Sequence, residues 1–149
     1  MTRVLSPVAG RAVGLGGVPD LVFAKAMVGP GTAVDPERGP GRAIAPVTGK
    51  IVKMHPHAFV VVDAEEHGVL VHLGVDTVQL KGAGFRVFAA AGDRVIAGQP
   101  LIGWDPAVIE AGGRSPVCAV VALDAGSDVL SDVVESGAVS KGAELFTWR

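Results

Sequence analysis

Several features are scarce in this sequence of 149 residues, and each scarcity excludes something. The single cysteine, Cys118, excludes an internal disulfide and any metal cluster built from cysteines. No stretch approaches about 18 continuous apolar residues, so no segment is expected to cross a membrane or to insert directly into one. The first residues also lack the apolar core of a signal peptide, and we therefore expect a cytoplasmic location.

Charge and aromatic residues are also limited. The net charge of −2 gives no electrostatic basis for binding nucleic acid or an anionic membrane. With five Phe, two Trp and no Tyr, the core must be mainly aliphatic. The length suits one domain, residues 1–149, with a core of useful size. Glycine and proline are abundant instead, at 21 and 10 residues, which favours short strands and tight turns.

An internal repeat is the first organising pattern. Ser6-Pro-Val-Ala-Gly-Arg-Ala-Val13 is echoed 39 residues later by Ala45-Pro-Val-Thr-Gly-Lys-Ile-Val52. Two copies are too few for a solenoid, which needs about three or more repeats. The repeat predicts a barrel-like sandwich with two pseudo-symmetric halves.

The remaining pattern predicts strands with few helices. Asp105-Pro106 has the form of a helix N-cap followed by proline, and predicts a short helix that stops at Gly112. Ser127 or Asp128 is predicted to open a second helix that stops at Gly137. Strands are predicted at 4–5, 11–15, 32–34, 43–45, 49–54, 58–63, 68–73, 86–88, 94–95, 100–104, 116–123 and 144–148.

Two histidines carry the strongest chemical signal. His72 lies in the apolar strand-like stretch Val69-Leu-Val-His-Leu73, and His57 precedes Ala58-Phe59. A neutral imidazole has one unprotonated nitrogen, which suits it to accept a phosphoryl group, while the other nitrogen is held by a hydrogen bond. A second histidine and nearby backbone N–H groups could bind the phosphoryl oxygens. His55 alternates with His57 and should share its face, whereas His67 is expected to be a solvated turn residue.

These phrases together resemble the enzyme IIA domain of the glucose family of the bacterial sugar phosphotransferase system. The resemblance covers about Leu5 to Phe146. Its phrases include Val18-Pro-Asp-Leu-Val-Phe-Ala24, Ala45-Pro-Val-Thr-Gly49, His57-Ala-Phe59, Val71-His-Leu-Gly-Val-Asp-Thr-Val78, Leu80-Lys-Gly-Ala-Gly-Phe85 and Gly92-Asp-Arg-Val-Ile-Ala-Gly98. Each phrase is weak alone, but their order and spacing are specific.

The resemblance implies an all-β fold, a compact β-sandwich or barrel of the duplicated hybrid motif type with short helical turns. It implies a phosphotransferase component without a cofactor. The phosphoryl group would come from phosphohistidine on the carrier protein HPr, would rest on His72 beside its partner His57, and would pass to a cysteine of an enzyme IIB domain of a membrane sugar permease. Regulatory protein targets could coexist with this relay. The implied docking residues are Asp20, Leu21, Val22, Phe23, Leu70, Asp76 and Val78.

The chain departs from the family pattern in one place, since the threonine expected shortly before His57 is missing. The sequence leaves either His55 or a backbone carbonyl to orient the ring of His72. Nothing in it selects the sugar.

Other readings stay open from the residues alone. His55-Pro-His57 and His72-Leu-Gly-Val-Asp76 have the form of ligand pairs in a hydrolytic zinc site, although the motifs occur in the opposite chain order. No metal is expected beyond adventitious zinc held by His57 and His72. A lipoyl-type carrier would need a lysine at a hairpin tip, and Lys53-Met54 is the nearest candidate. A purely regulatory protein of this fold is a third reading, though nothing in the sequence favours it.

Overall fold

The computed structural model describes residues 1–149, and almost all of its regular structure is extended. The strands are β1 Thr2–Leu5, β2 Gly10–Ala12, β3 Gly31–Pro36, β4 Gly41–Ile44, β5 Gly49–His55, β6 Ala58–Val62, β7 Gly68–Leu73, β8 Arg86–Val87, β9 Arg94–Val95, β10 Pro100–Trp104, β11 Cys118–Ala122, β12 Leu130–Ser131, β13 Ala138–Val139 and β14 Glu144–Trp148. Two short α-helices, α1 Leu21–Ala24 and α2 Pro106–Ala111, and 3-10 helices at Leu15–Gly17, Thr77–Leu80 and Ser127–Val129 complete the chain. No helix is long and apolar enough to span a bilayer.

All paired strands are antiparallel and form three sheets. The largest sheet has the order β13-β2-β3-β11-β7-β6-β5-β9. Two three-stranded sheets, β1-β14-β12 and β4-β10-β8, are separate from it. The all-β sandwich expected from the sequence is confirmed.

Alternation along the central strands decides which side chains enter the core. On β7, Val69, Val71 and Leu73 are fully buried, whereas Leu70 and His72 are only partly buried on the opposite face. A period of two along a strand has this effect. The inward residues join a core cluster of 25 side chains, and a second cluster of seven covers only part of the outer face, over β3 and β11. The outer face of β7, β6 and β5 is therefore left more open.

The repeat is a true pseudo-symmetry of the backbone. Leu5 donates its N–H to the carbonyl of Pro46 (2.9 Å), and Ile44 donates to the carbonyl of Pro7 (3.1 Å). Each donor lies two residues before the proline of its own copy, so the two copies bind each other reciprocally. The order of the large sheet is also symmetric, with β2 and β3 in one half matching β5 and β6 in the other.

The repeated glycine has the same steric role in each copy. A Cβ on Gly10 would lie 2.0 Å from the carbonyl oxygen of Asp35, and a Cβ on Gly49 would lie 2.1 Å from that of Val62. Both positions open a strand against the backbone of its neighbour, and no side chain fits there. The repeat in the sequence therefore marks two equivalent close approaches of the backbone.

One helix prediction is confirmed and one is wrong. The Asp105 side chain accepts a hydrogen bond from the N–H of Ala107 (2.9 Å) and caps α2, as predicted. The helix expected from Ser127 to Gly137 is reduced to the 3-10 turn Ser127–Val129. The chain then forms β12, which pairs with β14, and Asp132 adopts a positive φ of 55°. Pairing with a strand distant in sequence outweighs the local helical pattern here.

Candidate active site

A single row of paired residues crosses the large sheet and carries two of the histidines. His55 on β5 pairs with Ala58 on β6, Ala58 pairs with His72 on β7, and His72 pairs with Ala119 on β11. Residues directly opposite each other in antiparallel strands project from the same face. We call these four residues the histidine row. The alanine on either side of His72 leaves room for neighbouring rings.

His57 reaches the row from the tight turn between β5 and β6. Its carbonyl accepts a hydrogen bond from the N–H of Leu73 (2.8 Å), which ties the turn to the end of β7. The ring of His57 lies 5.1 Å from the ring of His72, edge-on at 73°. The ring of His55 lies 5.9 Å from that of His57. The structure therefore brings together His57 and His72, the two histidines singled out in the sequence, and places His55 beside them.

A backbone carbonyl orients the ring of His72. Its Nδ1 lies 2.7 Å from the carbonyl oxygen of Gly74. Because a carbonyl only accepts hydrogen bonds, Nδ1 must carry the proton and donate it. Nε2 of a neutral ring is then left with its lone pair. Of the two candidates for the orienting group, the structure selects the backbone carbonyl and not His55.

The turn that presents this carbonyl requires glycine. Gly74 has a φ of 84°, and a Cβ there would lie 2.6 Å from Cγ2 of Thr77. The buried hydroxyl of Thr77 donates to the carbonyl of Leu73 (2.7 Å) and fixes the same turn. Gly74 also donates its N–H to Val117 (3.1 Å), which anchors the turn on the neighbouring chain. The position of the Gly74 carbonyl is therefore set by packing on both sides.

Burial keeps both rings neutral. It is the main cause that lowers the pKa of His72 below its usual value. The hydrogen bond to Gly74 and the charges of Asp20 and Asp76 act in the opposite direction without overcoming it. The pKa of His57 is lowered to about 4, first by burial and then by the charges of His72 and His55. Near neutral pH both rings are therefore neutral, and each has one protonated and one unprotonated nitrogen.

An exposed apolar segment borders the histidines. Phe23, which is 9% exposed, packs its ring 5.2 Å from that of His72 and supports it from the side. Its neighbours on α1, Leu21 and Val22, are 69% and 46% exposed, and Val78 after β7 is 60% exposed. Phe23 is thus a packing residue, whereas the other three present apolar surface to solvent.

The remaining predicted docking residues lie around the same histidine. Asp20 caps α1 by accepting a hydrogen bond from the N–H of Val22 (2.9 Å), and Asp76 is exposed. Both carboxylates are close enough for their charge to act on His72. Leu70 lies two residues before His72 on the same face of β7.

Some contributors to the site carry no strong sequence signal. The acceptor for His72 is a main-chain atom, and only the glycine at 74 hints at the unusual turn that aims it. Ala58 and Ala119 contribute by being small, which a single sequence does not distinguish from ordinary core alanine. Met27, 70% exposed, follows α1 and adds apolar surface beside it.

The ligands of a hydrolytic zinc site are not assembled from the two histidine motifs. The three potential metal ligands whose atoms lie within 4.8 Å of one another are instead Asp63, Glu65 and His67. The Thr2 hydroxyl contacts all three side chains: it donates to Asp63, and it lies 2.9 Å from Glu65 and 2.8 Å from Nδ1 of His67. These side chains are therefore partnered by protein atoms.

Two other sequence expectations are corrected by the structure. His67 is not a solvated turn residue, because its side chain is only 18% exposed and its ring stacks on Trp148 at 4.1 Å. Lys53 lies inside β5 and not at a hairpin tip, so the requirement of a lipoyl-type carrier is not met.

Comparison with known proteins identifies the family to which this chain belongs. A sequence model described as phosphoenolpyruvate-dependent sugar phosphotransferase system, EIIA 1, matches residues 2–127. The chain belongs to this family. A solved structure of glucose permease IIA from Mycoplasma capricolum superposes with a TM-score of 0.86 at 32% identity, over 97% of this chain and 93% of the other.

Two curated relatives show the family in different contexts. The glucose-specific EIIA component of Staphylococcus epidermidis is 32% identical over 142 residues, which are 94% of this chain and 84% of that protein. The glucoside-specific EIICBA component of Staphylococcus carnosus is 33% identical over 145 residues. That alignment covers 96% of this chain but only 20% of the longer protein.

Proposed function

We propose that this chain, acting as one EIIA domain in the cytoplasm, relays a phosphoryl group during sugar uptake. It accepts the group from phosphohistidine on HPr at Nε2 of His72 and passes it to the cysteine of an enzyme IIB domain of a sugar permease. The observation that carries the proposal is the hydrogen bond from Nδ1 of His72 to the Gly74 carbonyl, which leaves Nε2 as the nucleophile. Family membership supports the phosphotransfer class.

Each transfer exchanges one bond to phosphorus for another. In the first step the lone pair of His72 Nε2 attacks phosphorus, an N–P bond forms, and the N–P bond to the HPr imidazole breaks. In the second step the IIB thiolate attacks, an S–P bond forms, and the His72 N–P bond breaks with the electron pair returning to Nε2. The proton stays on Nδ1 throughout, hydrogen-bonded to the Gly74 carbonyl, so His72 needs no separate base.

His57 acts as a neutral hydrogen-bond donor to the phosphoryl oxygens. Its ring stands edge-on to that of His72 at 5.1 Å, and its lowered pKa of about 4 means that it donates without carrying charge at neutral pH. A donor held in place before reaction stabilises the charge that develops on the transferring group. Partial burial of the pair also limits hydrolysis of the phosphohistidine.

The exposed side chains of Leu21, Val22 and Val78 form the docking surface for both partners. An apolar patch gives contact area without demanding one geometry, which suits brief binding to two different proteins. Asp20 and Asp76 at its edge would meet basic side chains of HPr and speed encounter. The permease, and not this chain, contacts the sugar and selects it.

The test is a phosphorelay assay with phosphoenolpyruvate, enzyme I, HPr and this protein, read by intact mass. One acid-labile phosphate is expected on the wild type and none on His72→Ala. His57→Gln should accept phosphate but pass it poorly to a IIB domain. His67→Gln, checked for folding by circular dichroism, is the control for a histidine outside the site and should behave as the wild type. An unmodified wild type would contradict the proposal.

A further inference from the structure

We propose that His55 is a third functional histidine, which supplies the positive charge beside a phosphorylated His72. This inference rests on the proposed function, because it concerns the phosphorylated state of that site. It assigns a positioning and charge-balancing role to a residue that makes no direct contact with the nucleophile.

The geometry places the three rings in a chain. His55 and His72 are both members of the histidine row, separated by Ala58. His57 fills the space between them, with its ring 5.9 Å from His55 and 5.1 Å from His72. A phosphoryl group on Nε2 of His72 would contact His57 first and would face His55 across it.

The two neighbours of His72 differ in their access to water. His57 is half-buried, and burial is the largest cause that lowers its pKa to about 4. His55 is exposed at the end of β5. An exposed imidazole carries a proton at little desolvation cost, whereas a buried one does not. If one of the two rings takes up a proton, we therefore expect it to be His55, because His55 is the more exposed.

Phosphorylation of His72 makes a positive charge on a neighbouring side chain favourable. A phosphoryl group on Nε2 of His72 adds negative charge to the site, and this charge lies on the phosphoryl oxygens. An opposite charge favours the protonated form of an imidazole, and this attraction can act across the His57 ring, because salt screens charges strongly only beyond a Debye length of about 8 Å. His55 would therefore take one proton from solvent when His72 is phosphorylated, and return it when the group leaves for the IIB cysteine. The phosphoryl transfer itself is unchanged by this step.

Two lysines and two aspartates are the other charged side chains around the row. Lys53 lies two residues before His55 on the same face of β5, and Lys81 adjoins Gly82, whose loop lies against Pro56. Asp20 and Asp76 are close enough for their charges to act on His72. Imidazole is the side chain whose ordinary pKa lies nearest to neutral pH, so we expect a proton taken up there to bind a histidine.

The direct test follows each histidine ring by NMR titration in the unmodified and the phosphorylated protein. His72 is phosphorylated in two ways, by phospho-HPr and by the small-molecule donor phosphoramidate. The titration midpoint of the His55 ring should rise by about one pH unit on phosphorylation. His67 is the internal control, since it lies five residues from His72, at least ~15 Å along the strand direction, and should barely shift.

Variants of His55 separate charge from structure. His55→Gln is neutral at every pH, and His55→Lys is always charged. At equilibrium with phospho-HPr at pH 6, the ratio of phosphorylated to free protein should fall roughly fivefold in His55→Gln relative to wild type, and should be maintained in His55→Lys. At pH 8.5 His55→Gln should match the wild type, because proton uptake by an imidazole is unfavourable so far above its reference pKa of about 6.5. Comparing proteins at one pH cancels the titration of HPr.

The outcomes distinguish the two proposals. If His55 shifts no more than His67, or if His55→Gln matches wild type at both pH values, the role of His55 is overturned. If only phosphoramidate labels His72, the relay from HPr fails, but the titration still decides the role of His55. If neither donor labels His72, both proposals fail together.

Discussion

The two halves of the molecule use the same hairpin in different ways. In one half, β5 turns directly into β6 through Pro56 and His57. In the other half, the matching strands β2 and β3 are joined by residues 13–30, which contain a 3-10 helix and α1. The short connection brings histidines to His72, and the long one brings an apolar segment to it.

The difference decides which part of the sheet is covered. At one end of the outer face, the longer connection packs Val18 and Phe23 on Ala33 and Ala119. At the other end, His55 is exposed and His57 is half-buried. A duplicated frame can therefore carry an asymmetric site, because the connections between its strands are free to differ in length. His72 lies where the covered and the open ends meet.

The largest effect is expected from a substitution in the turn of Gly74, which lies where the covered and the open ends meet. Gly74→Ala adds a Cβ that would clash with Thr77 at a φ of 84°, and should move the carbonyl that orients His72. Phosphoryl acceptance should fall by more than about tenfold, because the wrong tautomer becomes accessible. Gly84→Ala is the matched control, since φ is 86° there but the space is open. It should cost only about 1 kcal/mol of stability and leave acceptance rates unchanged.

Phe23 and Val22 are neighbours on α1 with different roles. Phe23 covers His72, whereas Val22 is proposed to contact the partner proteins. Phe23→Ala removes a ring that packs on His72 and should lower the free energy of unfolding by about 3 kcal/mol. Val22→Ala should change stability by less than about 0.5 kcal/mol but raise the KM for phospho-HPr. Urea denaturation and initial transfer rates measure the two effects. Equal loss of stability in both variants would contradict the division of roles.

The half-buried ring of His57 at the open end should also make the free energy of unfolding depend on pH. The pKa of His57 is about 4 in the folded state against an ordinary value of 6.5, so the unfolded state binds more protons between these values. Unfolding free energy should fall as the pH drops from about 6.5 to about 4, by on the order of 1 kcal/mol after allowance for solvent screening of a half-exposed ring. Urea titrations at several pH values should show a flatter profile for His57→Gln. An unchanged slope would mean that the ring is not desolvated.

The smallest effect is expected from substitutions of Asp20, which caps α1 and also carries a charge. Asn caps helices about as well as Asp, so Asp20→Asn should keep α1 intact while removing the charge. Association with phospho-HPr should slow only a few-fold at low salt, and the difference should vanish at high salt. Asp20→Ala should in addition lose about 1 kcal/mol of stability. Stopped-flow mixing at two ionic strengths provides the measurement.

The sequence predicted most of the frame for identifiable reasons. The Pro-Val-x-Gly repeat marked two positions where the backbone tolerates no side chain, and such constraints are visible without a structure. The cap at Asp105 is likewise a local signal. The helix predicted after Ser127 is absent because residues 130–131 pair as a strand with β14, which is distant in the sequence. Local patterns do not report long-range pairing.

By itself the sequence predicted most of the strands and the duplicated frame, which follow from residue type, spacing and local backbone constraint. The choice of His57 and His72 as candidates for the chemistry came from these patterns together with the family resemblance. Only the tertiary structure decided which nitrogen of His72 is left free, that the Gly74 carbonyl and not His55 orients the ring, and that Phe23 packs while Val22 stays exposed. Each of these depends on contacts between segments far apart in the chain, and no local pattern specifies them.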